Sequence, residues 1–256
     1  MQKGPYLNTE YIGFNLEKKQ SPIHDIRIRK AINIGFNRYN MIAYLRNNIG
    51  TPAKKGFIPN GLAGSSEVDF QYNPVEARDL VADYIKDNNQ IPELRIATDA
   101  NYIDLCEFLQ SELEKIGLKF QIDIMPTARL REAKSNGNLE LFRASWIADY
   151  PDAENYLSLF YSKNFSPNGP NYTHYANAKF DQLFTLAIKT KNDSLRTLYY
   201  RQMDSLALSE YPIVPLYYDE VIRFTQKNIT GLEMNPINLL VLKSCLLYTS
   251  PSPRDS

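Results

Sequence analysis

Between Leu94 and Trp146 the hydrophobic pattern passes twice from the alternation of a strand to the periodicity of a helix and back. Leu94-Arg95-Ile96-Ala97-Thr98 reads as a short strand, and IDLCEFLQSELEKIGL then sets Cys106, Leu109, Leu113 and Ile116 on one helical stripe that stops at Gly117. Leu118, Phe120, Ile122 and Ile124 alternate, a short helix covers about Ala128 to Lys134, and a third strand ends at Trp146. This order predicts right-handed crossovers and a largely parallel or mixed β-sheet flanked by helices, an α/β fold.

The flanking segments extend the pattern. Tyr11, Gly13 and Asn15 alternate with Ile12, Phe14 and Leu16 as a half-buried strand. Asp25 opens a helix through DIRIRKAINIGFNRYNMIAYLRNN, with Ile28, Ala31, Ile32 and Gly35 inward and Arg27, Arg29 and Lys30 on a solvated face. Asn73 as N-cap, Pro74 at N1 and Glu76 at N3 begin another helix. Ala178 to Lys189 and Asp193 to Ser209 read as helices, Asp193 capping the second. Ile213 to Tyr218 and Val221 to Thr225 read as two strands around Asp219-Glu220, and Ile229 to Lys243 as one more.

The composition excludes several kinds of function. Basic and acidic residues balance at 29 each, so no net field favours nucleic acid or an anionic membrane. Two Cys, Cys106 and Cys245, and two His, His24 and His174, are too few for a disulfide scaffold or a Cys/His zinc site, and no cofactor is implied. Cys106 sits on the apolar stripe as a small core residue, and His174 has no evident Ser or Cys partner. No apolar run reaches membrane-spanning length. GxSxG, Walker, GxGxxG and HExxH patterns are all missing, whereas 18 Tyr suit a polar ligand cleft.

The corner RASWIADYPDAENYLSLF, Arg143 to Phe160, carries the strongest signal for a site. The chain's one Trp, Trp146, lies near the carboxyl end of a strand, and Asp149 follows three residues later, where open α/β sheets place ligands. The same residues also suit plain structural roles, with Trp146 in the core, Asp152 as a helix cap and Asp149 as a solvated turn residue. An acid/base pair drawn from Asp149, Asp152 and Glu154, as in a small hydrolase, is a further reading of the corner.

The order of motifs resembles the oligopeptide- and dipeptide-binding proteins of ABC importers, family 5 of the extracytoplasmic solute-binding proteins. W-x-x-D-Y-P-D from Trp146, Asn171-Tyr172, and Ala178-Lys179-Phe180-Asp181 carry the resemblance. So do Tyr11 to Asn15 followed by Ile26 to Ile32, Gly50-Thr51-Pro52-Ala53 with Ile58-Pro59, Tyr72 to Ala77, and Tyr211 to Tyr217. The resemblance implies a periplasmic-binding-protein type II lobe and a monomeric extracytoplasmic protein, periplasmic or lipid-anchored, serving a membrane permease. Two lobes would close on a peptide-like ligand, with residues 1–210 as the ligand-binding lobe and 211–244 as strands returning towards the first lobe. It also implies that Asp149 pairs with a ligand α-ammonium and that Trp146 lines the same wall, with Ser145, Ile147, Ala148, Tyr150 and Tyr172 close by. Dipeptide binders of the family carry an Arg in the loop that is Asp99-Ala100-Asn101-Tyr102 here, so longer peptides or a non-peptide solute such as a saccharide or metal chelate stay open. A transcriptional or signalling module built on the same lobe is the remaining alternative.

Both ends bear on the extent of the natural protein. The family's first half and export signal are expected upstream of Met1, and CLLYTSPSPRD at 245–255 coincides with the translation of a transposase adaptor used in sequencing libraries.

Overall fold

The computed structural model describes residues 1–66 and 68–238 and the backbone of Leu246 and Leu247. In chain order the elements are β1 (Gln2–Phe14), α1 (Ile26–Ile34), α2 (Arg38–Arg46), β2 (Thr51–Pro52), α3 (Pro74–Asn88), β3 (Glu93–Thr98), α4 (Ile103–Glu114) and β4 (Lys119–Ile124). They continue with α5 (Thr127–Ser135), β5 (Leu141–Ile147), α6 (Glu154–Leu157), α7 (Ala178–Lys189), α8 (Asp193–Ser209), β6 (Ile213–Arg223), β7 (Ile229–Thr230) and β8 (Leu246–Leu247). Six strands form a mixed sheet in the order β2-β6-β1-β5-β3-β4, and β7 pairs with β8. β3 runs parallel to β4 and to β5, as the strand and helix alternation predicts, while β1 is antiparallel to both β5 and β6.

β1 is the strand on which two cores meet. Successive strand side chains point to opposite faces. Ile12 and Phe14 enter a core with Ile28 and Ile32 of α1, Val81 of α3, and Leu109 and Leu113 of α4. Leu7 and Tyr11 enter another with Phe57, Tyr156, Phe160, Phe180 and Met203. Leu7 to Phe14 is therefore buried without a break. This corrects the half-buried reading, because with helices on both faces the alternation no longer marks a wet side.

Four further expectations change. The helix opened by Asp25 is two helices, broken at Gly35-Phe36-Asn37. A Cβ on Gly35 would stand 2.7 Å from Ala31 O and 2.8 Å from Ile116 Cδ1, and Asn37 Oδ1 caps α2 by accepting from Tyr39 N and Asn40 N. Arg29 does not face solvent, because its guanidinium donates to the carbonyls of Ile23, His24, Glu210 and Tyr211. The cap of α8 is Asn192, one residue before Asp193. The two strands expected around Asp219-Glu220 are a single strand, β6. Asp219 is paired with Arg46 at 2.7 Å and Glu220 with Lys3 at 2.9 Å, so neither carboxylate needs a turn to reach a partner.

The Asn73 cap of α3 forms as expected, with Asn73 Oδ1 accepting from Glu76 N at 3.2 Å. Cys106 is fully buried. The strand expected from Ile229 to Lys243 is present at Ile229–Thr230, whereas its LLVL stretch lies outside the described residues, as does the tail from Cys245 apart from the backbone of β8.

Candidate functional site

β5 lies between β1 and β3, so the chain leaves the sheet where Ile147 pairs with Asn8. Ala148 N donates to Leu7 O at 2.9 Å, which extends the pairing one residue past β5 and buries Ala148. Asp149 and Tyr150 then turn outward and are exposed. Among the described residues no hydrogen bond or ion pair engages the Asp149 carboxylate.

Its neighbours are engaged locally. Asp152 Oδ1 accepts from Glu154 N at 2.9 Å while Oδ2 stands 3.8 Å from Arg196 Nη2, and Glu154 accepts from the Tyr150 hydroxyl. Asp152 thus closes a turn onto the first residue of α6, whose N-cap position is Ala153, and Asp152 and Glu154 are both held by local partners. Trp146 is half-buried, its Nε1 donating to Asn155 Oδ1 at 2.7 Å, which fixes one edge of the indole beside the corner. Ser145 is half-buried and Ile147 is exposed.

Tyr172 belongs to the other end of β5. Its ring meets Phe142 edge-on at 6.4 Å, and Lys134 Nζ of α5 lies 4.4 Å over it. Among the described residues Lys134 has no carboxylate partner. Desolvation, reinforced by Arg143 and Arg131, pulls its ammonium down to about 8. A cation held on an aromatic face without a counter-ion can accept a ligand anion.

Sequence reasoning missed a buried polar row across the sheet. Glu10 of β1 and Arg143 of β5 form an ion pair, and both are buried. Arg143 also lies 3.0 Å over the Tyr102 ring, so a guanidinium reaches the Asp99–Tyr102 loop from the neighbouring strand although the loop has no Arg of its own. Asn8 Nδ2 donates to Glu10 Oε1 at 3.2 Å and to Asp219 Oδ2 at 3.3 Å, joining the row to Arg46. Burial raises the Glu10 carboxyl, partly offset by Arg143. The available signal was a Glu and an Arg set among the apolar residues of the runs EYIGF and LFRASWI.

His174 does have a serine partner. Ser166 Oγ lies 2.9 Å from His174 Nε2, and Nδ1 stands 2.8 Å from Glu17 Oε1. Ser166 is itself buried and the ring stacks on Phe165 at 4.8 Å, so the trio clamps the loop before α7 and presents no accessible nucleophile. The partner lies eight residues earlier and meets His174 only once the loop closes. Among the described residues no three or more His, Cys, Asp or Glu side chains gather as metal ligands, and no helix is long and apolar enough to cross a membrane.

Comparison with known proteins places this geometry. A sequence model of the bacterial extracellular solute-binding proteins, family 5 (middle region), matches residues 1–168. The glutathione-binding protein GsiB of Escherichia coli K12 is 27% identical over 244 residues, which cover 92% of this chain and 47% of the relative. The chain thus spans about half the length of the curated relatives it matches. Among solved structures, HbpA2 of Haemophilus parasuis superimposes with a TM-score of 0.84 at 20% identity, over 97% of this chain and 50% of that one. DppA of Helicobacter pylori, in complex with the peptide STSA, gives 0.81 at 20% identity over 96% and 48%. The murein tripeptide-binding protein MppA of Escherichia coli gives 0.80 at 21% identity over 97% and 50%. These likenesses establish the type II periplasmic-binding-protein fold.

Proposed function

This chain belongs to the bacterial extracellular solute-binding proteins, family 5, and from that premise we propose that it forms a ligand-binding lobe of the substrate-binding component of an ABC importer. The ligand is a peptide or peptide-like solute with a free amine, held outside the cytoplasm by closure of two lobes and delivered to a membrane permease. The observation that carries this reading is Asp149, an exposed carboxylate without a partner among the described residues, following the buried Ala148. Carboxylates around it are engaged in local bonds, whereas this one is free for a ligand ammonium. Lobe closure would desolvate that pair and strengthen it. Trp146, with Ser145, Ile147 and Tyr150, forms the adjoining wall in this proposal.

Residues 1–210 would form the lobe proper, and 211–244 the strands leading to its counterpart. The β1–β6 ribbon supports this division, since Gln2 to Pro5 pair with Arg223 to Glu220 beyond the point where β5 ends at Asn8. A glutathione-class ligand is a second reading, favoured by the Lys134 ammonium, which has no carboxylate partner among the described residues, and by the likeness to the glutathione-binding protein GsiB. Such a ligand carries carboxylates besides its amine, which Lys134 would attract.

Calorimetric and Trp-fluorescence titration of the native protein with a mixed peptide pool and with glutathione, beside Asp149→Ala, tests the proposal. Loss of one charge-assisted bond is expected to weaken binding by roughly 10- to 100-fold. Equal affinity of the variant, or equal binding of N-acetylated peptides, would remove the amine-pairing role.

A further inference from the structure

Three arginines are buried among the described residues, and they differ in how their charge is met. Arg143 has the Glu10 carboxylate. Arg29 spreads its donors over four main-chain carbonyls. Arg38 is 3% exposed and has neither arrangement. Its Nε donates to Pro215 O at 2.8 Å, Nη1 to Asn33 O at 2.8 Å and Nη2 to Asn33 Oδ1 at 3.3 Å. A guanidinium offers five N–H donors, so among the described residues one on each terminal nitrogen is left over. Its remaining neighbours include the rings of Phe36 and Phe70, at 4.5 and 5.7 Å.

Arg38 also lines a cleft, about 100 Å³ in volume, together with Phe36, Tyr39, Lys54, Phe70 and Tyr72. Lys54 is half-buried at its rim, with Nζ 3.7 Å from Asp69 and 5.5 Å over the Tyr39 ring. Asp69 in turn accepts from Gln71, so the carboxylate beside Lys54 is shared. Asn37 already caps α2, and the helix terminus adds only its dipole.

We infer that this cleft is a second binding site, taking a small oxyanion of the carboxylate or phosphate class between the free N–H groups of Arg38 and the Lys54 ammonium. Two cations beside one small volume, against one shared carboxylate, leave a net positive cleft, and the buried Phe36 and Phe70 rings on its wall strengthen the attraction by lowering the local polarity. Burial, only partly offset by Tyr218 and Asp69, draws the Arg38 guanidinium down to about 9, and a bound anion would relieve that penalty. At about 30 Å³ per water the cleft has room for roughly three waters, which suits one carboxylate or phosphate group and no peptide chain. The site lies on the α1–α2 side of β6, apart from the Asp149 corner.

The test titrates inorganic phosphate and, separately, acetate into the whole chain, by calorimetry and by phosphorus-31 line width, at fixed ionic strength with chloride as reference. Saturable binding is expected, weakened about tenfold or more by Lys54→Ala and abolished by Lys54→Glu. The Lys54 variants sit at a half-exposed rim and preserve the fold if Arg38→Lys does not. Preference for phosphate or for acetate identifies the class. No saturation above chloride, or saturation indifferent to Lys54→Glu, would overturn the site. Peptide titration of the native protein should be unchanged by Lys54→Glu, which separates this inference from the role of Asp149.

Discussion

Asp204 is a carboxylate enclosed by protein on every side. On α8 it shares a face with Tyr200, Met203, Ala207 and Leu208, where an apolar residue is expected. It accepts from Phe57 N at 2.9 Å and Ser66 N at 2.8 Å, tying the long loop before α3 to the second core. Gly56, at φ +79°, is required there because a Cβ would overlap the Asp204 carboxylate. Burial pushes the carboxyl up to about 7, against the pull of these amides. Between the unfolded value of about 4 and pH 7 the folded chain holds a proton that the unfolded chain has released. Stability therefore falls as pH rises through that window, by at most about 4 kcal/mol. Urea unfolding at pH 5 and pH 8 should show this slope in the natural chain and a flatter one in Asp204→Asn; parallel slopes would refute it.

The element that sets the architecture is β1. Its fully buried side chains, among them Ile12, Phe14, Leu7 and Tyr11, each contribute about 1.5–3 kcal/mol of apolar burial and bind both helix layers to one strand. Gly13 is the point of closest approach, because a Cβ there would overlap the Phe142 ring of β5. Gly13→Ala should destabilise the chain by about 1–3 kcal/mol through overpacking, read as a lower urea midpoint with an unchanged slope. An unaltered midpoint would mean that Phe142 swings aside freely. Since Phe142 also supports Tyr172 and Lys134, this variant should loosen the second reading's anion-facing end before it affects the Asp149 corner.

The molecule as a whole presents its corner on an open surface. Asp149 lines neither the cleft of about 320 Å³ at Lys3, Tyr218 and Glu220 nor the one of about 570 Å³ at Glu17 to Pro22. One exposed charge and a half-buried indole give a ligand little desolvation, and strong capture needs a surface opposite. The 256-residue chain by itself should therefore bind peptides only at about millimolar level or not at all, by calorimetry. Nanomolar affinity of the chain alone would contradict the two-lobe proposal.

Local rules acting within short windows determined much of this protein from sequence. Strand alternation fixed β3, β4 and β5, helical periodicity fixed α4, and capping chemistry fixed the start of α3, because each is decided by neighbours within a turn or a strand. The Asp149 corner was legible for the same reason, as the end of a strand followed by a turn. Tertiary structure alone decided the burial of β1 on both faces, the inward turn of Arg29, the Glu10–Arg143 pair and the meeting of Ser166 with His174. Glu10 and Arg143 are 133 residues apart, and a buried ion pair forms only where the fold brings the two charges together. That pairing depends on strand order and register, which the residues around either partner do not encode.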